Sequence, residues 1–109
     1  MAYKVIYTQQ ARNEITGYVD YILDVFHNRT AAYKKALILD SITDTLAQHP
    51  HLSHPYDGLL WHDQQLYAYL IDVYQVLHIP DDAKKTVTVI RVLHAGQDLA
   101  TQLAQTKAL

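Results

Sequence analysis

Lys85-Thr86-Val87-Thr88-Val89-Ile90-Arg91-Val92-Leu93-His94-Ala95-Gly96-Gln97-Asp98-Leu99 sets the architecture of this chain. Thr86–Leu93 is rich in β-branched residues and reads as a strand, and His-x-Gly-x-Asp then ends it and opens a helix capped by Gln97 or Asp98. Strict alternation puts Arg91 on one face with Val87, Val89 and Leu93, and His94 on the other with Thr88, Ile90 and Val92. An arginine in such a row packs its stem over the sheet and pairs its head with a carboxylate, for which Asp98 and Glu14 are the candidates. Polar groups at a strand end are also where sites are built, so Arg91 and His94 are candidate catalytic residues, His94 as a proton carrier near neutral pH.

Working outward, Leu66-Tyr67-Ala68-Tyr69-Leu70 and Val73–Ile79 are two further β-like runs divided by Asp72, and Pro80–Lys85 is a turn into Thr86. These three strands form an antiparallel meander. Upstream, Pro50 to Gly58 is rich in His, Pro, Ser and Asp and reads as an irregular loop. Tyr3–Tyr7 alternates as a short strand, and Thr8 offers a hydroxyl cap to a helix whose apolar face carries Ile15, Tyr18 or Val19, Ile22 and Phe26. Gly17 weakens that helix by roughly 1 kcal/mol relative to Ala. Asn28 is expected to end it in the left-handed conformation and Thr30 to cap a second helix, which presents Ala32, Ala36, Leu39, Ile42 and Leu46 and stops before Pro50. A short last helix, 98–107, carries Leu99 and Leu103, with Lys107 near its C-terminal end. The order is β-α-α-β-β-β-α: one α+β domain, 1–109, with a helical hairpin on a mostly antiparallel four-stranded sheet.

Composition narrows the function. The chain has 109 residues, no cysteine, and 9 Lys+Arg against 11 Asp+Glu, for a net charge of −2. Disulfides, thiolate zinc sites and cysteine nucleophiles are therefore excluded. Between Lys35 and Lys84 there is no Lys or Arg, so a nucleic-acid surface built from the middle of the chain would lack phosphate partners, and strong direct nucleic-acid binding is not expected. No run approaches the roughly 18 apolar residues that a membrane span needs, and the start lacks a secretory pattern; a cytoplasmic protein with no membrane partner is expected. His49, His51, His54 and His62 lack the spacing of a metal motif, so no metal or other cofactor is expected.

The layout resembles the RelE/ParE toxins of bacterial type II toxin–antitoxin, or plasmid-stabilisation, modules. The resemblance rests on Tyr3-Lys4-Val5-Ile6-Tyr7-Thr8 with Ala11 and Glu14, and on Tyr18 and Tyr21-Ile22. Downstream it rests on Ile42, Leu46 and Pro50, on Asp72-Val73-Tyr74-Gln75-Val76-Leu77, and on Ile90–Leu99. It implies growth inhibition relieved by a cognate antitoxin that wraps the domain as a helix and a strand and covers an apolar groove on the sheet face away from the helices. RelE-like members cut mRNA on the ribosome with a dense set of cations, whereas ParE-like members poison DNA gyrase by binding. Carried over by position, three arginines of the nuclease pattern correspond to Tyr67, Gln75 and Gln97, all neutral. Tyr67 with Arg91 and His94 would stand nearest any chemistry. Tyr74, Gln75, His78, Gln97 and Asp98 would contact target or antitoxin. The missing cations favour a ParE-like binding poison or an attenuated toxin over a ribosome-dependent endoribonuclease.

Overall fold

A computed structural model describes residues 2–52, 55–61 and 64–106. The elements are β1 (Lys4–Tyr7), α1 (Gln9–Phe26), α2 (Arg29–Gln48), β2 (Pro55–Trp61), β3 (Gln64–Ile71), β4 (Tyr74–Asp81), β5 (Thr86–His94) and α3 (Leu99–Ala104). Local chemistry explains the junctions. The Thr8 side chain accepts from Ala11 N at 3.1 Å and starts α1. One expectation shifts at the hairpin: His27, not Asn28, takes the left-handed conformation (φ 51°), its N–H reaching Leu23 O at 3.1 Å. Asn28 instead caps α2 by accepting from Ala31 N at 3.0 Å, which leaves Thr30 inside the helix.

The strands form one sheet in the order β1-β5-β4-β3-β2. β1 pairs with β5 in parallel, and β3, β4 and β5 form the antiparallel meander. A parallel neighbour requires a crossover, and the α1–α2 hairpin supplies part of it. The α+β class holds, as do the elements expected from sequence, but the sheet has five strands instead of four. The added strand, β2, occupies part of the stretch read as an irregular loop and pairs antiparallel with β3, Pro55 opposite Tyr67 and Leu60 opposite Gln65. It is an edge strand, where a proline at the first position forfeits no ladder bond. Pro80 falls within β4 for a related reason. The described β3 pairing ends at Tyr67 opposite His78, so no β3 partner needs the Pro80 nitrogen.

Two apolar clusters lie on the two sheet faces. Under the helical hairpin, Leu39, Ile42 and Leu46 of α2 pack with Tyr69, Tyr74, Val76, Val87, Val89 and Val92. On the opposite face Leu66, Ala68, Leu77, Ile79, Ile90 and Leu93 gather, with Leu103 of α3 against them. All six of these sheet residues are buried within the chain, so the apolar groove expected on that face is closed. Among the described residues most of the large exposed apolar side chains stand elsewhere, on the helical hairpin (Tyr21, Phe26, Tyr33, Leu37) and around the β3–β4 turn (Leu70, Val73), with Ile6 of β1 the exception.

β5 does not alternate as its sequence suggests. Leu77 of β4 faces Arg91 and His78 faces Val89, leaving Ile90 as the extra residue of a bulge. The bulge puts Val87, Val89 and Val92 in the cluster under the helices and Ile90 and Leu93 in the other. Arg91 thus leaves the row of Val87 and Val89, and Ile90 leaves that of Val92.

Candidate functional site

β1 ends at Tyr7, opposite Val89, so the outer edge of β5 beyond that point has no strand partner among the described residues. α1 closes it with side chains and its own leading residue. Thr8 N donates to Val89 O at 3.1 Å and Thr8 Oγ1 to Ile90 O at 2.8 Å; Val92 N donates to Glu14 Oε1 at 3.0 Å and Tyr18 Oη to Val92 O at 2.6 Å. An open strand edge thereby has its polar groups satisfied without another strand. Burial, with the Glu14 charge beside it, pushes the Tyr18 hydroxyl up to about 12, so it stays a neutral donor.

Arg91 sits at the bulge on this sealed edge. Its Nε donates to both Glu14 oxygens at 3.0 Å, and its Nη2 donates to Glu14 Oε2 at 2.7 Å and Gln102 Oε1 at 3.1 Å. Nη1 donates to Gln102 O at 3.0 Å and Thr106 Oγ1 at 3.1 Å. Every donor of the guanidinium's fork has an acceptor inside the chain, and the residue is only 6% exposed. Glu14 is the carboxylate partner foreseen as one of two candidates; Asp98, the other, accepts from Thr101 Oγ1 at 2.7 Å at the start of α3. Arg91 clasps α1 and α3 together across the sheet edge, and it presents no unused donor to a phosphate.

His94 is exposed at the end of β5, with its ring edge-on to Tyr18 (centroids 5.0 Å) and tilted against Tyr74 (5.1 Å). Tyr74 is buried, and the Lys35 ammonium lies 4.8 Å over its ring. Lys35 also donates to Asp72 Oδ2 at 2.6 Å. Burial opposes the ammonium's charge, yet the Asp72 and Tyr74 contacts outweigh it and hold Lys35 above the usual lysine value. Tyr18, Lys35, Tyr74 and His94 line a cleft of about 680 Å³, with Glu14, Gly17, Tyr21, Ile22, Phe26 and Val73 completing its walls.

Tyr67 and His78 lie apart from this cleft. Tyr67 stands opposite His78 on β3 and β4, four pairs along the strands from Tyr74 opposite Ile71. His78 is fully buried, its Nδ1 3.1 Å from Val76 O and its Nε2 with no hydrogen-bond partner among the described residues. Burial pushes it down to about 4, so it is neutral at physiological pH. Tyr67 contacts the His51 ring at 5.6 Å, and His51 Nε2 lies 3.2 Å from Asp82 Oδ1, which also accepts from Tyr3 Oη at 2.7 Å. Gln97 Oε1 accepts from His94 N at 2.8 Å and so braces the turn after β5. Gln75, half-buried, pairs in register with Leu70 and Leu93. The structure therefore brings His94 and Tyr74 together, places Arg91 beside them with its donors consumed, and separates Tyr67 and His78 from both.

Lys35, Gly17 and the His51–Asp82 contact were not singled out as site residues from sequence. Lys35 and Asp72 lie 37 positions apart and no local pattern joins them. Gly17 did leave a signal: a glycine inside a helix with no turn to make. Among the described residues no group of three or more His, Cys, Asp or Glu is arranged to hold a metal, and no helix is long and apolar enough to cross a membrane. His54, His62 and Lys107 lie outside the described residues.

The fold is shared with solved toxin–antitoxin proteins. A chain of the chromosomal ParDE system of Pseudomonas aeruginosa superposes with TM-score 0.65 at 10% identity, covering 85% of this chain and 96% of that one. One from the RelBE2 toxin–antitoxin complex of Mycobacterium tuberculosis gives 0.60 at 21% identity, covering 86% and 99%. One from the archaeal RelE–RelB complex of Pyrococcus horikoshii gives 0.61 at 16% identity, covering 90% and 100%. No curated protein sequence matches the chain. The family model of the ParE toxin of type II toxin–antitoxin systems matches residues 5–99, which include the sealed β5 edge, the Arg91 bulge and the Tyr74–His94 contact. The chain belongs to the ParE toxin family of type II toxin–antitoxin systems.

Proposed function

We propose that this toxin arrests growth by binding its target, as a ParE-type poison of DNA gyrase would, and not by cleaving mRNA, and that a cognate antitoxin protein neutralises it. The observation that carries the reading is the Arg91 clasp. Phosphodiester cleavage concentrates negative charge that preorganised cations must meet, and the arginine at the family's strand position spends all its donors on Glu14, Gln102 and Thr106. The positions where a nuclease would add cations hold Tyr67, Gln75 and Gln97. His94 has an exposed imidazole, but its neighbours are the rings of Tyr18 and Tyr74.

A binding poison needs instead a fixed surface with apolar anchors. The exposed Tyr21, Phe26, Leu70 and Val73 supply one around the cleft that ends at His94. The antitoxin partner is supported by the solved relatives, two of which are described as complexes with a second protein. The test is a supercoiling assay with purified gyrase and the purified chain: inhibition is expected at a stoichiometry near one chain per enzyme. Unimpeded supercoiling at saturating toxin would overturn the gyrase assignment.

A further inference from the structure

We infer that a second groove, between the start of α1 and the later half of α2, binds a small zwitterion: an amino-acid-sized molecule carrying one carboxylate and one ammonium. The groove measures about 320 Å³ and shares no lining residue with the cleft that ends at His94. Helical spacing builds it. Arg12, Ile15 and Thr16 recur on one face of α1 and Leu39, Asp40 and Thr43 on one face of α2, and Tyr7 of β1 also lines the space they enclose. Its charges are what the fold leaves unused. In the larger cleft Glu14 is paired with Arg91 and Lys35 with Asp72. Here Arg12 and Asp40 are exposed and line the same groove, yet neither side chain makes an ion pair or hydrogen bond among the described residues, with the other or with any neighbour.

Opposite charges that line one groove without meeting define a dipolar occupant. The guanidinium fork of Arg12 matches a carboxylate, and the Asp40 oxygens accept from an ammonium. Asp44, one turn along α2, strengthens the negative end, since its charge and that of Asp40 both act on Tyr7. An anion alone would meet Asp40 and a cation alone Arg12, so each would find one repulsive wall. Neutral hydrogen-bonding groups lie between the charges: the Thr16 hydroxyl, and the Tyr7 and Thr43 hydroxyls 2.7 Å apart. Burial holds Tyr7 above the ordinary tyrosine value, against the pull of its Thr43 bond, so it stays protonated. The buried Tyr69 hydroxyl, on which the Tyr7 charge acts, has no hydrogen-bond partner among the described residues. This end of the core therefore holds more polar capacity than the chain's own contacts use. Half-buried Ile15 and buried Leu39 supply an apolar base for the ligand's carbon atoms.

The experiment titrates the purified full chain, labelled with nitrogen-15, with glycine, L-valine, L-leucine, β-alanine and γ-aminobutyrate, and follows the backbone amide shifts. At least one probe is expected to move the Arg12, Thr16, Asp40 and Thr43 amides saturably, with a Kd on the order of 1 mM, the strength that exposed ion pairs allow. The N-acetyl and the carboxamide derivatives of that amino acid each lack one charge and are expected to bind at least about tenfold more weakly. Arg12→Gln and Asp40→Asn give up no side-chain contact within the described residues. Both are expected to melt at the parent temperature and to lose affinity for the free amino acid by a similar factor. The inference is overturned if no probe produces saturable shifts at these amides. It is equally overturned if the derivatives bind as tightly as the free amino acid, because charge would then play no part, or if either variant, melting as the parent does, keeps the parent affinity.

Discussion

Truncating Arg91 to alanine tests the structural role assigned to it. Its side chain is 8% and that of Glu14 16% exposed, so the pair is close to fully removed from water. Arg91→Ala leaves the Glu14 carboxylate with the Val92 amide as its remaining partner in this network and frees the Gln102 and Thr106 acceptors that hold α3. Breaking one side of a buried, hydrogen-bonded ion pair costs about 3–5 kcal/mol. Against a total stability of about 5–15 kcal/mol for a small domain, that is a large fraction. At roughly 4–8 °C per kcal/mol for a domain near this size, the melting temperature should fall by at least about 12 °C. Glu14→Gln keeps an acceptor for Val92 N–H but removes the charge, so its loss should be smaller. The cycle with the double variant should show a coupling of roughly 2 kcal/mol or more, within the range found for residues in direct contact. Urea denaturation followed by far-UV circular dichroism reads all three. If Arg91→Ala costs under about 1 kcal/mol, the value typical of exposed pairs, the clasp is not structural and Arg91 regains its candidacy for chemistry.

His78 is held down to about 4 by burial, below the ordinary 6.5 of an unfolded histidine, so its contribution to stability is full above 6.5 and declines as pH falls from there toward 4. The loss should approach about 3 kcal/mol, and His78→Gln should flatten the pH dependence of the urea midpoint between those values. Thr8→Ala removes both the α1 cap and the bond to Ile90 O and should cost about 1–2 kcal/mol in the same assay. Tyr18→Phe keeps the ring against Tyr74 and His94 but abandons Val92 O, for an expected loss of about 1 kcal/mol with toxicity retained.

Much of this fold is written in period and punctuation. The β-branched run of β5, the Thr8 cap and the apolar spacing of α2 each point to the element that forms. The Arg91–Glu14 pair was also within reach, because a lone cation in an apolar strand demands a carboxylate, and Glu14 was one of the two candidates. The bulge at Ile90 was not. Ile90 is β-branched like its neighbours, with no glycine to mark the irregularity, so alternation misassigned the faces on either side of it. β2 was missed because its proline and the polar residues around it resemble loop chemistry, and only its place at the sheet edge makes Pro55 tolerable. The site was least legible where it depends on distant partners. His51 meets Asp82, and Lys35 meets Asp72, through the packing of α2 and its end against the sheet, which no local spacing encodes.

On the proposed reading, growth arrest needs no RNA cleavage. Mapping mRNA 5′ ends genome-wide in cells expressing the parent chain, beside cells expressing His94→Ala, tests it most directly. Growth arrest is expected in both, with no new cleavage ends in either. Codon-positioned cleavage ends in the parent that vanish in a stably folded His94→Ala chain would contradict it.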